Sequence, residues 1–235
     1  MLDVDNVLIR LIGQIRFRPN LISFDIASKA ASEYENKFEE WLAEKSDDVT
    51  LYTPSEKKFL QIASDKITYL NESKKDFTEL DTIVKKAFKS LNKLANLKKV
   101  GRIGVRATEV WSTNLKLNEL KDIIFNKFYN QDKKLKVLVG ESIKDAVFVL
   151  VSEQQNGLKS RVQIGPVNKQ QAIKRFQANF SEEDNVDKLT DANLYVDIDV
   201  FEVENLTATN VEDKLTTAHK EVTKLLKEYN SYIFK

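Results

Sequence analysis

The sequence contains no cysteine, a single histidine, and only 3 prolines and 6 glycines among 235 residues. Each scarcity removes a class of chemistry. Without cysteine there are no disulfides, no thiolate ligands for zinc or iron–sulfur clusters, and no thiol nucleophile. Small secreted domains lean on disulfides, so the expectation is a reducing, cytoplasmic setting. Scarce proline and glycine argue against disorder and long structureless linkers. An excess of one charge is missing too: 37 Lys and Arg stand against 36 Asp and Glu, for a formal net charge of +1. A dedicated duplex-binding protein carries a basic excess, because each phosphate it neutralises takes a cation. Any nucleic-acid site here is therefore a local patch. No run approaches the roughly 18–20 uncharged apolar residues that span a bilayer. The opening MLDVDNVLIRLIGQIRF begins with acids and has arginine inside its apolar run, unlike a signal peptide. No membrane association is expected.

What is present is a strong pattern. With 42% hydrophobic and 31% charged residues, the chain has the material for a core and a wet surface. Residues 7–18 alternate: Val7, Ile9, Leu11, Ile15 and Phe17 fall on one face of a strand, and Arg10, Gln14, Arg16 and Arg18 on the other. Ile26, Ala30, Phe38, Trp41 and Leu42 have helical spacing and predict a helix over 24–45. Strands are expected over 49–52 and, as a hairpin turning at Ser64–Asp65, over 59–70. Asp76 and Glu79 have the spacing of a capping box before a helix with Leu80, Ile83, Val84, Ala87, Phe88 and Leu91 inward. A second long strand over 100–111 and a helix over 117–129 follow. Asn156-Gly157 predicts a type I′ hairpin turn between strands 146–151 and 158–164. A short helix over 168–178, an exposed loop over 180–192 and a third long strand at 194–201 come next. Thr209 and Glu212 repeat the capping-box spacing before a final helix.

Hairpins outnumber βαβ alternation, so the expected fold is α+β, an antiparallel sheet with helices packed mainly on one face. The chain reads as one α+β domain over 6–233. The alternative division is two ferredoxin-like, βαββαβ-type halves, 1–112 and 113–235, which rhyme in element order without a residue-level repeat.

Catalytic motifs find little footing. His219 has no triad or zinc spacing around it and reads as a helix-surface residue. Gly101 and Gly104 sit inside a strand and lack the lysine and Ser/Thr of a phosphate loop. No cofactor is expected. Asp197 and Asp199 share a strand face and are the only metal candidates, without a third ligand at a telling spacing. The basic residues are more informative. Arg102 and Arg106 share a strand face, as do Arg10 and Arg16. If those strands are neighbours, Arg10, Arg16, Arg102 and Arg106 form a stripe that suits a phosphate or carboxylate partner. The competing expectation is an internal lattice of ion pairs, with Asp197, Asp199, Glu109 and Glu202 as mates.

The strand motifs VLIRLIGQIRFRP, GRIGVR and YVDIDVF, the last before a long final helix, resemble a sporadically distributed, uncharacterised bacterial protein family of similar length. This chain continues GRIGVR as Ala107-Thr108-Glu109, where the family pattern calls for an aromatic residue. The resemblance implies no known activity. Its patchy distribution implies a defence-associated or mobile-element protein that works with a partner. The leading expectation is a non-enzymatic interaction protein, a subunit, sensor or adaptor, whose partner is another protein or a second copy of the chain. Nucleic-acid or nucleotide binding through the arginine face is the alternative, and a carboxylate-dependent metal hydrolase the third.

Overall fold

The alternation along the first strand decides on which side of the sheet the helices lie. The computed structural model describes residues 4–73, 77–129, 145–175 and 187–234. In chain order the elements are β1 (Val4–Phe17), α1 (Leu21–Ser32), β2 (Glu40–Lys45), β3 (Asp48–Thr53), β4 (Lys58–Ala63), β5 (Lys66–Asn71), α2 (Phe77–Ala95), β6 (Val100–Thr113), α3 (Leu117–Phe128), β7 (Phe148–Glu153), β8 (Lys159–Val167), α4 (Lys169–Arg175), β9 (Asn193–Glu202) and α5 (Val211–Phe234). The strands form one antiparallel sheet of nine in the order β2-β3-β4-β5-β1-β6-β9-β8-β7. The fold is α+β, with most of the helical layer on one face.

That covered face carries Leu11 and Ile15 of β1, Leu60 and Ile62 of β4, Ile103 and Val105 of β6, and Val196 and Ile198 of β9, all buried. Against them pack the apolar stripes of α2 (Leu80, Val84, Phe88, Leu91) and α5 (Val211, Leu215, Ala218, Val222). Gly13 of β1 is the closest approach: a Cβ there would lie 2.5 Å from Leu80 Cδ2. Among the described helices only α4 sits on the other face, at one corner, where Ala172 joins Leu8, Val110, Leu189 and Tyr195 in a small second core.

An approximate two-fold relation runs through the centre. β1 pairs with β6, both 14 residues long, and Leu11 lies opposite Ala107, 96 positions later. The same offset relates the 12-residue helices α1 and α3, which begin at Leu21 and Leu117. Outward from this midline β5, β4 and β3 on one side match β9, β8 and β7 on the other. α2 packs on β1 and β5 as α5 packs on β6 and β9. The repeat unit is therefore a long strand, a helix, an antiparallel meander and a second helix. This corrects the ferredoxin-like halves: the unit has a different element order, and β6 belongs wholly to the second repeat, whereas the division at 112/113 would have cut it.

Other expectations also shift. The helix predicted over 24–45 ends at Ser32, and β2 follows, hydrogen-bonded to β3. Trp41 and Leu42 mimic helical spacing but stand exposed on this edge strand. Asp76 lies outside the described residues. Glu212 reaches Lys89 at 2.8 Å, while Asn210 ties the preceding turn, its Nδ2 donating to Asn205 O and its Oδ1 accepting from Thr207 N, both at 2.8 Å. At the β7–β8 turn only Gly157 takes a positive φ, of 85°, and Asn156 does not, so the turn is not type I′. Gly157 N–H donates to Gln154 O and Gln154 N–H to Leu158 O, closing the loop. Residues 180–186 of the expected loop lie outside the described set; of the remainder, Leu189 and Ala192 are buried.

Candidate interaction face

The arginines of β1 and β6 and the aspartates of β9 emerge on the face away from the main helical layer. The register places Arg16 directly opposite Arg102 and Arg10 opposite Thr108, so the two long strands are indeed neighbours. Most of the arginines are tethered there. Arg106 grips Asp197 bidentately with one edge of its guanidinium, Nε to Oδ1 at 2.6 Å and Nη2 to Oδ2 at 2.9 Å. The Thr108 hydroxyl adds a bond to Oδ1 at 2.8 Å. Arg102 Nη2 donates to both oxygens of Asp199, at 2.8 and 3.1 Å, and its guanidinium lies 5.0 Å from the Phe201 ring centre. Arg10 Nε meets Glu72 Oε1 at 2.6 Å. Under the two-fold relation Arg10 and Arg106 are equivalent, each turned outward to a carboxylate on or beside the next strand.

The electrostatics follow from burial. Desolvation opposes the Arg106 charge, yet its hydrogen bond and attraction to Asp197 raise its pKa above the ordinary arginine value. Burial pushes the Asp199 carboxyl up, against the pull of Arg102 and Arg106. Burial likewise pushes Glu72 up, against Arg10.

Three of the four candidate arginines, Arg10, Arg102 and Arg106, thus belong to an internal lattice, and Glu72, Asp199 and Asp197 are its acids. Glu109 and Glu202, the other expected mates, face the opposite side. Glu109 accepts from Trp111 Nε1 at 2.9 Å and Asn230 Nδ2 at 2.8 Å, and Glu202 pairs with Lys214 at 2.8 Å. Pairing depends on strand register, which alternation alone does not reveal. Among the described residues no group of three or more His, Cys, Asp or Glu is arranged to hold a metal ion. His219 stacks on Phe77, with ring centres 5.2 Å apart.

One part of the face escapes the lattice. Lys66 of β5, Arg16 of β1 and Arg102 of β6 lie directly opposite one another across three adjacent strands. Neighbouring strands are about 4.8 Å apart, so the row spans roughly 10 Å. Gln14 Oε1 accepts from Arg16 Nε at 2.6 Å and Arg102 Nη1 at 3.4 Å, and Gln14 Nε2 donates to Thr68 Oγ1 at 3.0 Å. Among the described residues neither Arg16, which is exposed, nor Lys66, which is half-buried, is paired with a carboxylate. Like charges directly opposite on adjacent strands repel. Lys66 gave no signal in the sequence, because its place beside Arg16 depends on the β4–β5 hairpin returning to β1.

Of the aromatic residues on this face of β9, Tyr195 is buried and Phe201 half-buried. Arg175 sits 4.7 Å over the Tyr195 ring, and Arg102 lies against Phe201. No protein-family model matches the chain, and no curated protein sequence is significantly similar to it.

Proposed function

We propose that the protein is a non-enzymatic interaction protein, a subunit or adaptor that engages another protein through the open face of its sheet. The observation that carries this reading is the Lys66–Arg16–Arg102 row, in which only Arg102 has a carboxylate partner among the described residues, beside an otherwise self-neutralised lattice. A destabilising arrangement held by a rigid sheet is a feature that binding can account for. The carboxylates that a hydrolase would need, Asp197 and Asp199, are engaged by arginine and threonine side chains. The resemblance described above supports a setting in a bacterial defence or mobile-element complex.

Nucleic-acid binding is the second reading, supported by the same row. Against it stand Arg10 and Arg106, each paired with a carboxylate, which among the described residues leaves few cations on this face for phosphates. The test is in-cell crosslinking of the full chain in its host, followed by light scattering of the purified product. A heteromeric assembly of fixed stoichiometry is expected. A chain that remains monomeric and uncrosslinked removes the proposal.

A further inference from the structure

We infer that the Lys66–Arg16–Arg102 row is the anchor for an acidic, carboxylate-bearing segment of the partner protein. The inference rests on the interaction reading above and names the chemistry of the partner. Among the described residues the three cations have one paired acid, Asp199 on Arg102, so the row keeps two positive charges uncompensated. Arg102 is occupied on both sides, by Asp199 and Gln14, and Arg16 is held by Gln14 through Nε alone. Among the described residues the donors left without a carboxylate are therefore the Nη groups of Arg16 and the ammonium of Lys66. One guanidinium edge beside one ammonium, about 5 Å apart across neighbouring strands, matches one or two carboxylates and is charge-complementary to them.

A nucleic-acid backbone fits less well. It presents a continuous run of phosphates and needs a cation for each, whereas the lattice removes Arg10, Arg102 and Arg106 from that role. Gln14 Oε1 holds Arg16 by Nε and so restrains its guanidinium, and less side-chain freedom is lost when an anion arrives.

The test is an NMR titration of the full-length protein with a synthetic peptide of repeating Glu-Glu-Leu, with a DNA duplex of similar length as the comparison probe. Peptide-induced shifts confined to residues around Arg16, Lys66 and Arg102 are expected, with binding at least tenfold weaker in the Arg16→Glu/Lys66→Glu double variant. Lys86→Glu, a charge reversal at an exposed site on α2, should bind the peptide as the unaltered protein does. Shifts that map elsewhere, equal weakening in Lys86→Glu, or binding of the duplex in preference to the peptide overturns the inference. The crosslinked assembly separates this from the broader reading. An assembly that forms equally well with the double variant sinks the anchor and leaves the interaction reading standing. If no assembly forms, the interaction reading fails, and the peptide titration still decides the row.

Discussion

Asp197 is 2% exposed and takes three hydrogen bonds, two from Arg106 and one from Thr108. Removing the arginine leaves an almost fully buried carboxylate without its counter-charge. The Arg106 side chain is itself 42% exposed, so the cost is discounted from that of a fully buried pair, and Arg106→Leu is expected to lose about 2–3 kcal/mol in urea unfolding. Arg16→Glu should act in the opposite sense. It places an acid between Lys66 and Arg102, and a gain of about 0.5–1 kcal/mol is expected by the same measurement. A loss on Arg16→Glu would show that the row is not under electrostatic strain. Glu72 supplies a pH dependence. Its folded pKa is raised by burial, so in the window above the ordinary glutamate value of about 4.3 the folded state keeps a proton that the unfolded chain has released. Stability from this group is therefore present at low pH and is lost as pH rises through the raised value. Glu72→Gln should flatten that part of a stability–pH curve.

At the scale of elements, α2 is seated on β1 at Gly13. Because Leu80 is fully buried and cannot swing away, Gly13→Ala forces the helix off the strand and is expected to cost about 1–3 kcal/mol. Gly101→Ala, whose Cβ would meet nothing closer than Arg16 O at 3.8 Å, should be tolerated. A matched thermal melt of the two variants checks the contrast. The elements most legible in the sequence were those with one apolar face: β1, β6, β9, α2 and α5. The hairpin at Ser64–Asp65 was legible too, because two β-rich runs flank a polar turn. β2 was not. Trp41 and Leu42 satisfy a helical period by accident, no glycine or proline interrupts residues 24–45, and only pairing with β3 marks the segment as strand. The four arginines were legible as a shared face. Asp197 and Asp199 were legible among their candidate mates, but Glu72 and Lys66 were not, since they reach the arginines only through the order of strands.

At the scale of the molecule, β1 and β6 hold the two repeats in one sheet, and α2 and α5 meet across it. Trp41 reports on the β2 edge and Trp111 on the midline, where its ring centre lies 4.8 Å from that of Phe234. Unfolding of single-tryptophan variants, Trp41→Phe and Trp111→Phe, is expected to give coincident denaturant midpoints, as a single cooperative unit requires. Separate midpoints would mean that the repeats unfold independently.

The pairing of Leu11 with Ala107 has a consequence for a chain of half this length. Residues 1–98 carry a full strand–helix–meander–helix unit, with Arg10 still on its own Glu72. Cut loose, that unit bares β1 along its whole length, and a twin copy offers the same bare edge running the opposite way. Two such fragments can be stitched together with Leu11 across from Leu11, and light scattering should find them as pairs. In the present chain the two units are joined and not identical: one contributes Lys66 and Arg16 to the cationic row, the other Arg102.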